Sequence, residues 1–110
     1  MIEIDFDKLK NIYKIDLSVE PNQNFDLYIS GYSFKIELRT YTDERSELRI
    51  VYNDEVIVNH AGTNLLNINL NYFSSFNQGT FFFAKNSDKR LQKNNFLDFN
   101  EGLGFYYGDL

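Results

Sequence analysis

The sequence predicts an all-β fold: a single compact antiparallel β-sandwich or partly closed barrel of about seven or eight strands. Three observations carry this expectation. Aromatic residues are abundant, with 11 Phe and 8 Tyr, and such side chains fit a pleated, half-buried surface. The helix-favouring residues Ala and Met are nearly missing. Period-two alternation recurs along the chain and is clearest at 21–41, PNQNFDLYISGYSFKIELRTY. There Phe25, Leu27 and Ile29, then Phe34, Ile36 and Leu38, share one face against Asp26, Ser30, Lys35, Glu37 and Arg39. The length of 110 residues, 43% hydrophobic and 25% charged, suits one folded domain over 1–110 with a single modest core.

Residues 1–10 alternate Ile2, Ile4 and Phe6 with Glu3, Asp5 and Asp7, the pattern of an added edge strand or of an N-terminal arm that docks on a partner. A first strand is expected over 12–19, with Tyr13, Ile15, Leu17 and Val19 on one face, and Pro21 ends it. The hairpin 24–30 and 33–41 follows. Gly31 at the first central position of a two-residue loop points to a type II′ turn. After the polar turn Thr42-Asp43-Glu44-Arg45, a strand over 47–52 places Leu48, Ile50 and Tyr52 inward. Asn53-Asp54 tolerate positive φ and suit a type I′ turn. The return strand, 55–60, carries Val56, Val58 and His60 on one face and Ile57 opposite, with Ala61-Gly62 closing the hairpin.

Segment 64–73 reads either way. Leu66, Ile68, Leu70 and Tyr72 alternate with asparagines as in a strand, whereas Leu65, Ile68 and Tyr72 suit one helical face; the poor helix propensity of Asn favours extended structure. A loop over 74–79 leads to the apolar run Thr80-Phe81-Phe82-Phe83-Ala84. Such a run implies burial on both faces or one face given to a partner. Phe81 and Phe83 are expected in the core, with Phe82 partly exposed. The basic cluster Lys85, Lys89, Arg90 and Lys93 lies in a polar stretch, and Gly102, Gly104 and Gly108 flank a closing strand at Phe105-Tyr106-Tyr107.

A net charge of −5 disfavours sequence-independent binding to a phosphate backbone. The chain has no Cys, so neither disulfides nor thiolate metal sites are available to it. Its first residues lack the apolar segment of a signal peptide, and no run approaches the ~20 apolar residues of a membrane span. The sequence therefore reads as that of a protein assembled in a cytoplasm, with no membrane partner.

No catalytic, cofactor or metal site is expected. His60 is the single histidine, and neither a second His nor a Cys accompanies it as a ligand. Asp98-x-Asn100-x-Gly102 opens like a calcium loop, but Leu103 occupies the sixth position where that loop needs Gly; it reads as a turn whose Asp and Asn side chains bond nearby backbone. Gly102-x-Gly104 lacks the third glycine of a dinucleotide loop. The acid pairs Asp43/Glu44 and Asp54/Glu55 lie in turns, where solvation explains them, and a hydrolase using them is the minor reading. Phe82, Tyr106 and Tyr107, with Lys89 and Arg90, are the candidate interface residues.

The order of these features resembles the small baseplate plug family of contractile-tailed phages, first recognised in a cyanophage baseplate. The resemblance rests on Leu17-Ser18, then Pro21-Asn22-Gln23-Asn24-Phe25, then Gly31 and the alternating strand from Phe34 to Arg39. Downstream it continues through Gly62, Asn64-Leu65-Leu66, Gly79 with Phe81–Phe83, Asp98, Leu103-Gly104 and Tyr106-Tyr107, covering roughly residues 12–108. Two features depart from the family pattern: the Trp that family members carry near Leu48 is missing, and the N-terminal decapeptide is additional. The resemblance implies a non-enzymatic structural subunit that plugs the central hub or the distal end of the tail tube. Its partners would be the hub, tail-tube and tape-measure proteins, with several copies in a symmetric assembly in the virion tail. The alternative function is a small β module recognising peptide or carbohydrate through surface aromatics.

Overall fold

The computed structural model describes residues 3–41, 45–62, 66–86 and 96–110. Among the described residues seven strands form two antiparallel sheets. One has three strands in the order β1 (Ile12–Ile15), β7 (Leu103–Asp109), β6 (Gly79–Lys85). The other is a meander of β2 (Asn22–Ile29), β3 (Tyr32–Thr40), β4 (Ser46–Tyr52) and β5 (Glu55–Gly62). The two sheets remain separate, so the architecture is the expected sandwich and not a barrel.

The alternation at 22–40 does what its period dictates. Phe34, Ile36 and Leu38 on β3, with Leu48 and Ile50 on β4, are almost wholly buried, and their polar neighbours face outward. Each such apolar side chain contributes about 1.5–3 kcal/mol through burial. Across the interior they meet Ile15, Phe81, Phe83, Phe105 and Tyr107 of the smaller sheet. Phe34 sits at the centre, 5.0 Å from the Phe81 ring, 5.3 Å from Phe76 and 5.4 Å from Tyr52 between centroids.

The first hairpin closes differently from its sequence expectation. Its two loop residues are Ser30 and Gly31, with φ of 52° and 84°, and Ile29 pairs with Tyr32. Gly31 is therefore the second central residue of a turn with two positive φ values, the type I′ requirement, and not the first of a type II′ turn. The two-residue difference in register leaves every side chain on its expected face, because faces alternate with period two. Ser30 holds a conformation that disfavours a β-carbon, whereas Asn tolerates it. Ser30→Asn is therefore expected to raise stability by about 0.5 kcal/mol, read as a higher urea midpoint with unchanged slope.

Asn53 and Asp54 both have positive φ, matching the expected turn of the second hairpin. The strand after it departs from expectation. Ile50 pairs with Val58 but Val51 with Val56, so a β-bulge inserts Ile57. Ile57 and Val58 are both buried while Val56 turns outward, so Val56 and Val58 do not share the one face expected of them. The first strand is also shorter than expected. Ile15 and Leu17 are buried, but Val19 is exposed where the chain crosses between sheets.

Two asparagines and a glutamine tie the crossings down. The Gln23 side-chain amide donates to the Ser18 and Glu20 carbonyls, and its oxygen accepts from the Ser18 N–H, which gives Gln23 of the Pro21–Phe25 stretch a structural role. The Asn100 carboxamide accepts from the Leu17 N–H and donates to the Leu17 carbonyl, reaching the opposite end of the chain and not its own turn. Asn71 is buried and is considered below.

Residues 66–78 are neither helix nor strand. The segment runs along the outer edge of β6, where the Asn67 N–H donates to the Phe83 carbonyl and the Leu70 N–H to the Phe81 carbonyl. Residues 3–10 lie against this segment and against the outer face of the small sheet. Glu3 bridges Ile68, the Ile4 N–H donates to the Asn67 carbonyl, and a 3-10 turn at Phe6–Lys8 is capped by the Asp5 carboxylate. The N-terminal residues thus form an arm, docked on the chain's own sheet.

Candidate functional site

β6 is buried on both faces, and Phe82 is the clearest correction to the expected interface. It is 1% exposed, stacked on Tyr106 at 5.4 Å and capped edge-on by Phe6 at 5.5 Å. The face that a partner was expected to cover is covered by the arm. Tyr107 is 0% exposed, so it too offers no surface, because its register opposite Phe81 turns it into the inter-sheet core. Tyr106 is half-buried; its hydroxyl donates to the Asn86 side-chain carbonyl, and burial raises its pKa. Lys89 and Arg90, like the rest of 87–95 and the acid pair Asp43/Glu44, lie outside the described residues.

The Tyr107 hydroxyl is fully buried and makes no hydrogen bond. A β-carbon at Gly79 would overlap its ring, so glycine is required there. Burial first, then the negative charge of Asp109, pushes its pKa above the ordinary tyrosine value, although the Asp109 carboxylate is not in hydrogen-bonding geometry with it. A buried hydroxyl without a partner costs about 1–3 kcal/mol of desolvation, so Tyr107→Phe is expected to match or exceed the parent in stability at pH 7. The raised folded pKa means that stability is complete below about pH 10 and is lost above it, as the unfolded tyrosine ionises. Denaturant titrations at pH 7 and above pH 10 check both: the variant keeps more of its stability at high pH, and a loss exceeding about 1 kcal/mol at pH 7 would refute an unsatisfied hydroxyl.

The two most exposed aromatic side chains, Phe73 and Tyr28, are not among the expected interface residues. Phe73 is 88% exposed, with its ring 4.9 Å from Tyr72 at 87°, and Tyr28 on the outer face of β2 is 75% exposed. Tyr72 and Phe73 project from a turn held by Asn71. The Asn71 amide donates to the Phe76 carbonyl at 3.2 Å and to the Gly79 carbonyl at 2.9 Å, and its oxygen accepts the Phe81 N–H at 2.9 Å. Ser74 closes the same turn by donating its hydroxyl to the Asn71 carbonyl.

Two clefts flank this turn. One, of about 310 Å³, runs beneath the arm and is lined by Ile4, Leu9, Tyr72, Phe76 and Leu110, with Asn69 and Asn77. The other, of about 270 Å³, lies between the turn and β5, bounded by Phe73, Val56, Asn59 and His60. Burial lowers the His60 pKa, which keeps the imidazole neutral to lower pH than usual. The Ser75 hydroxyl donates to the Glu55 carboxylate, lying 2.9 Å and 3.0 Å from its two oxygens. Among the described residues no three His, Asp or Glu side chains converge as metal ligands, and no helix is long and apolar enough to cross a membrane.

Phe73 was missed because a lone aromatic in a loop carries no periodicity. Tyr28 was legible, since it alternates with Leu27 and Ile29. No protein-family model matches the chain, and no curated protein matches it at a significant level.

Proposed function

We propose that this chain is a non-enzymatic structural subunit of a phage tail baseplate, plugging the central hub or the distal end of the tail tube. The observation that carries the reading is the ordered series of family-like residues from Leu17 to Tyr107. Those residues hold scaffold positions: Gln23 ties the crossing into β2, Gly31 forms the first turn, and Gly79 and Gly104 lie under the rings of Tyr107 and Tyr106. A signature made of scaffold residues suits a subunit whose task is to hold a shape among neighbours. The Tyr72–Phe73 turn supplies an aromatic contact to hub or tube proteins, and aromatic anchors dominate interface energetics.

Co-expression with phage tail hub and tube proteins tests the reading. The chain co-purifies with one of them, and Phe73→Asp, which alters only an exposed side chain, weakens capture while leaving the melting temperature unchanged. A chain that purifies alone from every such combination overturns it. A second reading, a module binding peptide or carbohydrate, draws on the cleft beneath the arm, a mainly apolar groove with Tyr72, Asn69 and Asn77 in its wall. A glycan and peptide array without hits removes it.

A further inference from the structure

We propose that two copies of this chain pair edge to edge through β2, joining their four-stranded sheets into one continuous sheet across a two-fold axis at Phe25. This stands independently of the function proposed above. Natural β proteins blunt their sheet edges, because an open row of N–H and C=O groups invites another strand. Three of the four edges here are managed. β6 is covered by residues 66–71, β5 is bulged at Ile57, and β1 is four residues long. β2 is eight residues long, pairs with β3 without a bulge, and carries a single charge, Asp26.

The hydrogen-bond phase of β2 determines which groups are free. The Thr40 N–H donates to the Pro21 carbonyl, and the two-residue turn makes Ile29 and Tyr32 a bonded pair. Odd-numbered residues of β2 therefore bond to β3, and Asn22, Asn24, Asp26 and Tyr28 aim their N–H and C=O groups at the open edge. Among the described residues nothing bonds to those groups.

An antiparallel copy can engage these four residues in few registers. Placing Asp26 opposite its own copy sets two carboxylates together and leaves Asn22 unpaired. Centring on Asn24 leaves Tyr28 unpaired. Centring on Phe25 pairs Asn24 with Asp26 and Asn22 with Tyr28, uses all four residues, and forms about eight hydrogen bonds. It sets the half-buried Phe25 rings opposite one another on the inner side and opposes no like charges. Such a contact is self-complementary and closes on itself as a dimer.

Sedimentation equilibrium of the full chain over a range of concentrations, with amide hydrogen exchange, tests this. The expected result is a monomer–dimer equilibrium in which the amides of Asn22, Asn24, Asp26 and Tyr28 gain protection as concentration rises. Asn24→Asp places a second carboxylate opposite Asp26 at both symmetric positions and weakens dimerisation about fivefold; Asn24→Lys strengthens it by a similar factor. Residue 24 also faces Glu37 within the chain, so the readout is the dimer dissociation constant and not the melting temperature. A monomer at every concentration, protection gained at another edge, assembly into open fibres, or equal responses to the two Asn24 substitutions would each overturn the proposal.

Discussion

Replacing Asn71 with leucine lowers the unfolding free energy by about 4 kcal/mol, because the Gly79 carbonyl and the Phe81 N–H lose their partner at once and the Phe76 carbonyl keeps only a longer contact with the Ser74 hydroxyl. The Phe76 and Gly79 carbonyls and the Phe81 N–H all bond to this one carboxamide, and the residue is 3% exposed. Each orphaned group costs about 1–3 kcal/mol, and partial entry of water into the loosened loop trims the sum. Asn71→Asp is expected to be nearly as damaging. It keeps an acceptor for Phe81 but removes both donors and aims a negative charge at two carbonyls. Asn69→Leu is the control: it removes one hydrogen bond from the Thr80 hydroxyl, for about 1 kcal/mol. Urea unfolding measures the difference, and limited proteolysis within 72–78 reports the released turn. Equal effects at residues 69 and 71 would contradict the account. Asn71 also holds the turn bearing Tyr72 and Phe73, so its loss displaces the aromatic pair proposed to meet a partner.

Phe34→Ala is the second large effect, at about 4 kcal/mol. The ring bridges the two sheets, with centroid distances of 5.0 to 6.3 Å to Phe81, Phe76, Tyr52, Tyr107 and Tyr32, and it is 1% exposed. Truncation removes the transfer free energy of the ring and leaves a cavity between sheets whose backbone spacing their own ladders fix. Phe25→Ala, at a half-buried position one strand nearer the edge, is expected to cost less than half as much, because that site is already partly hydrated. Thermal and urea unfolding of the two variants rank the positions. A Phe25 effect equal to that of Phe34 would mean that β2 is covered in solution, which the proposed edge pairing predicts at high concentration and not at low.

The fold was legible wherever one side-chain period governed. Alternation placed Phe34, Ile36, Leu38, Leu48 and Ile50 correctly, since a strand with one buried face must repeat every two residues. It grouped Val56 with Val58 wrongly because a bulge changes the phase within a strand and leaves no composition signal. The apolar run Phe81–Phe83 left burial on both faces and a face given to a partner both open; the first holds, and Phe82 is buried where partial exposure was expected. What covered Phe82 was not legible, because Phe6 is 76 positions away and nothing local links the two. Asn71 was the largest omission in the candidate site. Its neighbours Asn67 and Asn69 look identical in sequence, and only the convergence of three backbone groups distinguishes it. The interface expectation failed at Tyr107 because that ring fills the space between the sheets, and at Phe82 because the N-terminal arm covers the outer face of the small sheet; the most exposed aromatics lie in a turn and on an outer face.

The proposed structural place in a phage tail is decided by where the chain sits in an assembled particle. Cryo-electron microscopy of purified virions is predicted to show this two-sheet domain at the distal end of the tail tube, enclosed by hub proteins. Virions that lack the chain, or that carry it only away from the tail tip, would overturn the proposed role.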